Sequence, residues 1–226
     1  MHALTRLALP TVALAGALFA ATSAEAKPNI TRKGGQFGIT LGGSVCMPGE
    51  AKCKRSLHDP DITVDGKTRP SFGLGAELGY RFKPWIYAGA AYNLGFFDTQ
   101  YEVQGMGGFK RAYQNSVYGI VKPILPVWRF DFGLGMGPGF SRQAFIISGG
   151  DKQYSQGFSW VFSPSIDVFV SRRIFLGVKA DVLLNGHNKV CHEVGDTTSC
   201  TKDPQNRDLA PVHQLIFGLH VGGTFL

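Results

Sequence analysis

Beyond Ala26 this 226-residue chain has no apolar run long enough to cross a bilayer as a helix. A chain of this composition can span a membrane only as a closed barrel, because every backbone polar group in lipid needs a partner. Basic clustering is also missing. The formal net charge of +7 is spread over many segments with no Lys/Arg-rich block. That argues against a nucleic-acid partner and suits anionic sugar or lipid headgroups better. Cysteine is scarce, with four residues in two local pairs. Glycine and phenylalanine are abundant instead, at 30 and 17 residues.

The first residues have the layout of an export signal. Met1 to Arg6 begins positively, Leu7 to Ala21 is apolar but short, and Ala24-Glu25-Ala26 offers small residues where a signal peptidase cuts. The expectation is a signal over residues 1–26, cleaved between Ala26 and Lys27, rather than a retained anchor.

The rest of the chain is dominated by period-two patterning. In Trp128–Met136 the large apolar residues Trp128, Phe130, Phe132, Leu134 and Met136 alternate with Arg129, Asp131, Gly133 and Gly135. Alternate strand side chains point to opposite faces, so one face is greasy and the other is tight and polar. The same alternation recurs over Phe37–Val45, Phe72–Phe82, Ile86–Phe96, Phe158–Val168, Ile174–Asn185 and Gln214–Phe225. An eighth strand belongs within Arg111–Pro123, where Val117–Val121 fits either phase. Each run has about the length that a tilted membrane strand needs.

Connections alternate as well. Long polar segments at about 46–70, 97–110, 138–156 and 186–210 alternate with tight ones at Lys83–Trp85, Pro123–Pro126 and Ser171–Arg173. Tyr80, Phe82, Trp85, Tyr87 and Trp128 gather at the short-turn ends; Phe96, Phe140, Phe158 and Trp160 gather at the long-loop ends. Two such belts are expected at two membrane interfaces.

With this signal, these eight dyad strands and this loop alternation, the chain resembles the small outer-membrane β-barrels of Gram-negative bacteria, the OmpA/OmpX/OmpW-like group. The resemblance covers the whole of residues 27–226. It implies an all-β, eight-stranded antiparallel up-and-down transmembrane barrel in the outer membrane. Implied partners are membrane lipid, lipopolysaccharide and the barrel-assembly machinery, which reads the last strand; a monomer is expected. The group usually ends on an aromatic residue, whereas here Phe225 precedes Leu226.

On that arrangement Glu77, Arg81, Arg129, Asp131, Asp167, Lys179, Asp181 and His220 fall on the inner phase. Buried charges must be paired, so these are expected to form a lumen network. The network could plug an eight-stranded interior that side chains normally fill, open as a gated conduit by re-pairing, or transfer protons. Cys46 with Cys53, and Cys191 with Cys200, are expected to form disulfides in the first and last long loops, although a bridge between those loops is open. A metal site from these cysteines with His58 and His192 is the rival reading, but the spacing is not that of a zinc module. Asp59–Gly66 resembles a calcium loop without its closing acid, since position twelve from Asp61 is Phe72. His187, His192, His213 and Ser199 are the only candidates for catalysis, and their spacing matches no known signature. No enzyme, cofactor or metal is expected. The candidate roles are surface interaction through the loops, a narrow conduit for small or hydrophobic solutes, or lipid modification.

Overall fold

The computed structural model describes residues 29–47, 64–65, 68–69, 71–99, 102–103, 109–147, 152–202 and 213–225. Eight strands form a closed antiparallel ring: β1 Gly34–Cys46, β2 Ser71–Lys83, β3 Ile86–Thr99, β4 Phe109–Val127, β5 Phe130–Ile147, β6 Lys152–Phe169, β7 Ile174–Val194 and β8 Gln214–Phe225. Each strand pairs with the next in sequence, and β8 returns to pair with β1 through Cys46↔Gln214 to Gly35↔Phe225. A further strand, Thr197–Lys202, folds back on the end of β7 as a hairpin. The expected all-β barrel is therefore the observed fold.

The barrel is inside out by the standard of a soluble protein. Leu78, Leu125 and Leu219 are 60%, 64% and 61% exposed, while Glu77 and Arg81 are 4% and 0% exposed. Soluble monomers rarely show apolar surface on this scale, and a band of it around a closed ring is what lipid requires.

Three expectations change. First, the second half of the barrel is taller. β4, β5, β6 and β7 run for 19, 18, 18 and 21 residues, well beyond the 9–11 that cross the bilayer. Residues 138–147, 152–156 and 186–194, expected in loops, are strand. Period-two contrast fades beyond the exposed Phe140–Phe158 pair, because the outer face also turns polar there.

Second, Pro123 and Pro126 make no corner. They lie within β4, whose partner across the seam, β5, contains Pro138. Proline's fixed φ suits an extended backbone; only the missing donor is lost. The lost donors leave gaps in the β4–β5 ladder, which steps from Tyr118↔Gly139 to Val121↔Met136 and then to Ile124↔Gly133.

Third, the turn falls at Trp128–Arg129, and Trp128 adopts φ 53°. Trp128 thus caps the apolar column of β5 from the turn, its ring 6.4 Å from that of Phe130.

Candidate functional site: the filled lumen

Polar side chains fill the barrel in layers. At the short-turn end Asp131 of β5 accepts from the Arg81 guanidinium of β2 and, at 2.9 Å, from Nε of Arg32. Arg81 also donates to the Pro84 carbonyl, which ties the charge to the β2–β3 turn. Arg32 precedes β1 and crosses the barrel mouth. Its second donor reaches the Trp128 carbonyl at 2.5 Å, and its guanidinium lies 5.6 Å from the Phe169 ring centre. Thr31 N donates to Arg172 O at 2.9 Å, so the segment before β1 is laid across this mouth.

One layer further in, His220 Nδ1 meets Asp167 Oδ1 at 2.7 Å, with Phe175 packed against the imidazole at 5.1 Å. Glu77 then forms the centre. Its two oxygens accept from Lys122 at 2.6 Å and Lys179 at 3.0 Å, and His220 Nε2 lies 3.9 Å away. Lys179 also contacts Asp181 at 3.3 Å, and Ser163 donates to that carboxylate. Two carboxylates face two ammoniums here, so burial is matched by opposite charge at close range.

Tyr87, Ala91, Tyr118, Ile120, Ile124, Val161, Leu183 and Ile216 form a buried apolar cluster that runs past the charges, with Tyr87 opposite Arg81 and its ring centre 5.2 Å from the Lys122 ammonium. Beyond it the lumen is neutral and hydrogen-bonded. Asn185 Oδ1 accepts from Ser141, Ser159 and Gln114 at 2.7, 2.8 and 3.1 Å. Gln143 Nε2 donates to Gln114 at 2.7 Å. His187 lies between Ser141 at 2.6 Å and Ser155 at 2.8 Å. Beside Arg81, Lys122, Asp131 and Asp167 the remaining void is no larger than one water molecule.

Of the eight residues expected in the network, Arg81 and Asp131 form one ion-paired group with Arg32, and Glu77, Asp167, Lys179, Asp181 and His220 form a second with Lys122; Asp131 and Asp167 are cross-strand register partners. Arg129 is placed differently. It sits in the β4–β5 turn with its guanidinium 5.5 Å from the Trp128 ring, and Arg81 and Arg32 take the places at Asp131. The reason is the turn position, which shifts Arg129 out of the strand alternation.

Lys122 was missed. It lies on the strand whose phase was ambiguous, because Ile120 and Ile124 face inward while Val117, Val121 and Leu125 face outward. The unpaired Glu77 was the available signal, since a buried carboxylate between one lysine and a histidine wants a second cation. Arg32 lay outside every strand and carried no pattern.

Cys191 and Cys200 are bonded across the hairpin, which removes both thiols from any metal set. Cys53 and His58, the Ala26–Lys27 junction and the side chain of Cys46 lie outside the described residues, as do the side chains of Asp59–Gly66. Of the catalytic candidates, His187 is sealed in the neutral layer, and His213 Nδ1 accepts from Asn185 N at 3.1 Å. His192 and Ser199 face one another in the hairpin register. The Ser141–His187 contact has the look of a nucleophile and base. Both residues are buried, at 0% and 1% exposure, and the other ring nitrogen of His187 faces the Ser155 hydroxyl rather than a carboxylate.

The solved structures similar to this chain include two outer-membrane proteins. Neisserial surface protein A aligns over 86% of this chain and 98% of its own, with a TM-score of 0.51 and 12% identity. The outer membrane protein OprG from Pseudomonas aeruginosa aligns over 86% and 98%, with a TM-score of 0.53 and 13% identity. The chain has the fold of a small eight-stranded outer-membrane β-barrel. At such identities the likeness speaks for the architecture. No family model matches the sequence, and no curated protein matches it.

Proposed function

We propose that this protein is a non-enzymatic outer-membrane barrel whose lumen is closed by its own side chains and which presents long, disulfide-braced strands and loops at the cell surface. The reading is supported by two ion-paired groups in the lumen, Arg32 and Arg81 on Asp131, and Asp167–His220–Glu77 with Lys122 and Lys179, and by a void beside Arg81, Lys122, Asp131 and Asp167 no larger than one water. Eight strands enclose an interior that side chains can fill completely. Export through a cleaved signal at Ala26–Lys27, assembly through the last strand and a monomeric state belong to this reading. Taller strands β4–β7 and the Cys191–Cys200 hairpin would then form a rigid surface platform.

A narrow conduit for small or hydrophobic solutes is the rival, and solute flux separates the two. Proteoliposomes loaded with small sugars or amino acids should release them no faster than protein-free vesicles. Release that scales with the amount of folded protein would replace the closed barrel with the conduit.

A further inference from the structure

We infer a binding site for the phosphorylated headgroup of an outer-leaflet glycolipid on the outer wall of the tall side of the barrel, built by Arg142, Lys189 and Lys202. The membrane orientation rests on the reading above. The site itself rests on the strand register.

One row of cross-strand partners runs Asn115↔Arg142, Arg142↔Gln156, Gln156↔Lys189 and Lys189↔Lys202, from β4 to the hairpin strand. Immediately below, Phe140 pairs with Phe158, and both are more than half exposed on the lipid face. The three cations therefore stand one step above the aromatic belt, at the depth where lipid phosphates lie. Immediately above, on the same face, Ala144, Tyr154 and Cys191 form a small buried cluster with Tyr113 against it.

Two details point to an anion. Lys189 faces outward only because the β6–β7 ladder shifts between His187 and Lys189. Plain alternation from the inward His187 would have turned Lys189 into the lumen; the bulge at Asn188 re-aims it, a use that bulges serve at binding sites. The same bulge sets Lys189 directly opposite Lys202, and like charges in that position repel. Among the described residues no carboxylate pairs with Lys189, Lys202 or Arg142. By contrast Lys152, two rows higher, is held by Glu193 at 2.9 Å, and that hydrogen bond and charge raise its pKa above the ordinary value. Arg142 is preset by stacking on Tyr154, 3.6 Å from the ring centre, and its Nε has no hydrogen-bond partner among the described residues. Adjacent strands lie about 4.8 Å apart. Lys189 and Lys202 thus fit one phosphate between them, and Arg142, about 10 Å along the row, fits a second. A bis-phosphorylated headgroup matches that spacing.

Native mass spectrometry of the full chain in detergent tests the site, with diphosphoryl lipid A, its monophosphoryl and dephosphorylated forms, and inorganic phosphate alone as probes. The wild-type protein should retain the diphosphoryl lipid best, and the triple variant Arg142→Gln, Lys189→Gln, Lys202→Gln should retain on the order of tenfold less, from severalfold per cation. Arg142→Gln alone should remove the preference for two phosphates over one. Heat-dependent gel mobility checks that the triple variant is folded; if it is not, Lys202→Gln, outside the ring, should still cost severalfold. Equal retention of the dephosphorylated lipid, or undiminished retention by Lys202→Gln or the folded triple variant, would overturn the proposal. Displacement of the lipid by inorganic phosphate would assign the site to free phosphate instead. A conducting lumen would leave these results unchanged, so failure of the closed-barrel reading is distinguishable.

Discussion

Glu77→Ala is expected to cost about 3–5 kcal/mol of barrel stability, the penalty for leaving buried charge unmatched. Glu77 is 4% exposed and is the shared acceptor for Lys122 and Lys179. Without it, Asp181 alone faces two buried ammoniums. The measurement is the urea midpoint for loss of the heat-modifiable band in lipid vesicles. The double variant Glu77→Ala, Lys122→Ala should be less destabilised than the two single costs added together, because residues in one ion-pair network couple. Additive costs would mean that Glu77 and Lys122 do not share a network. Glu77→Gln retains shape but not charge, and should fall between wild type and Glu77→Ala.

The second large effect concerns two glycines that approach one another across the prolines' seam. A Cβ on Gly137 of β5 would overlap the Gly119 carbonyl of β4, whereas a Cβ on Gly119 meets nothing within 4 Å. Gly137→Ala must push backbone from backbone, and an overpacking cost of about 1–3 kcal/mol is expected in the same urea assay. Gly119→Ala should change stability by less than about 0.5 kcal/mol, as surface substitutions usually do. The contrast isolates close approach from glycine's flexibility, because both substitutions remove the same freedom from the unfolded chain. Equal costs at the two positions would contradict the seam geometry.

The barrel was legible because lipid imposes a period-two contrast on every strand that crosses it. That contrast alone places Glu77, Arg81, Asp131, Asp167, Lys179, Asp181 and His220 on the inner face. It failed where its physical cause fails. Lys122 sits on β4, whose inner face carries Ile120 and Ile124, so both faces look apolar. Arg129 and Trp128 seemed to begin a strand because a turn one residue further along is invisible to alternation. The strand segments 141–147 and 187–194 run on past the exposed Phe140–Phe158 pair, where the outward residues are no longer uniformly apolar. Their inner residues Ser141, Gln143 and His187 therefore read as loop composition, although hydrogen bonding joins Ser141 and Gln143 to Asn185 and Gln114 inside the barrel. The bulge at Asn188 left no sequence mark, and the outward turn of Lys189 depends on it.

Single-channel recording of the wild-type chain in planar bilayers tests the closed lumen most directly. With Arg32, Arg81, Glu77, Lys122 and Lys179 all engaged, insertion should give no steady conducting level, while Glu77→Ala should give intermittent openings. A stable ohmic conductance from the folded wild-type barrel would contradict the account.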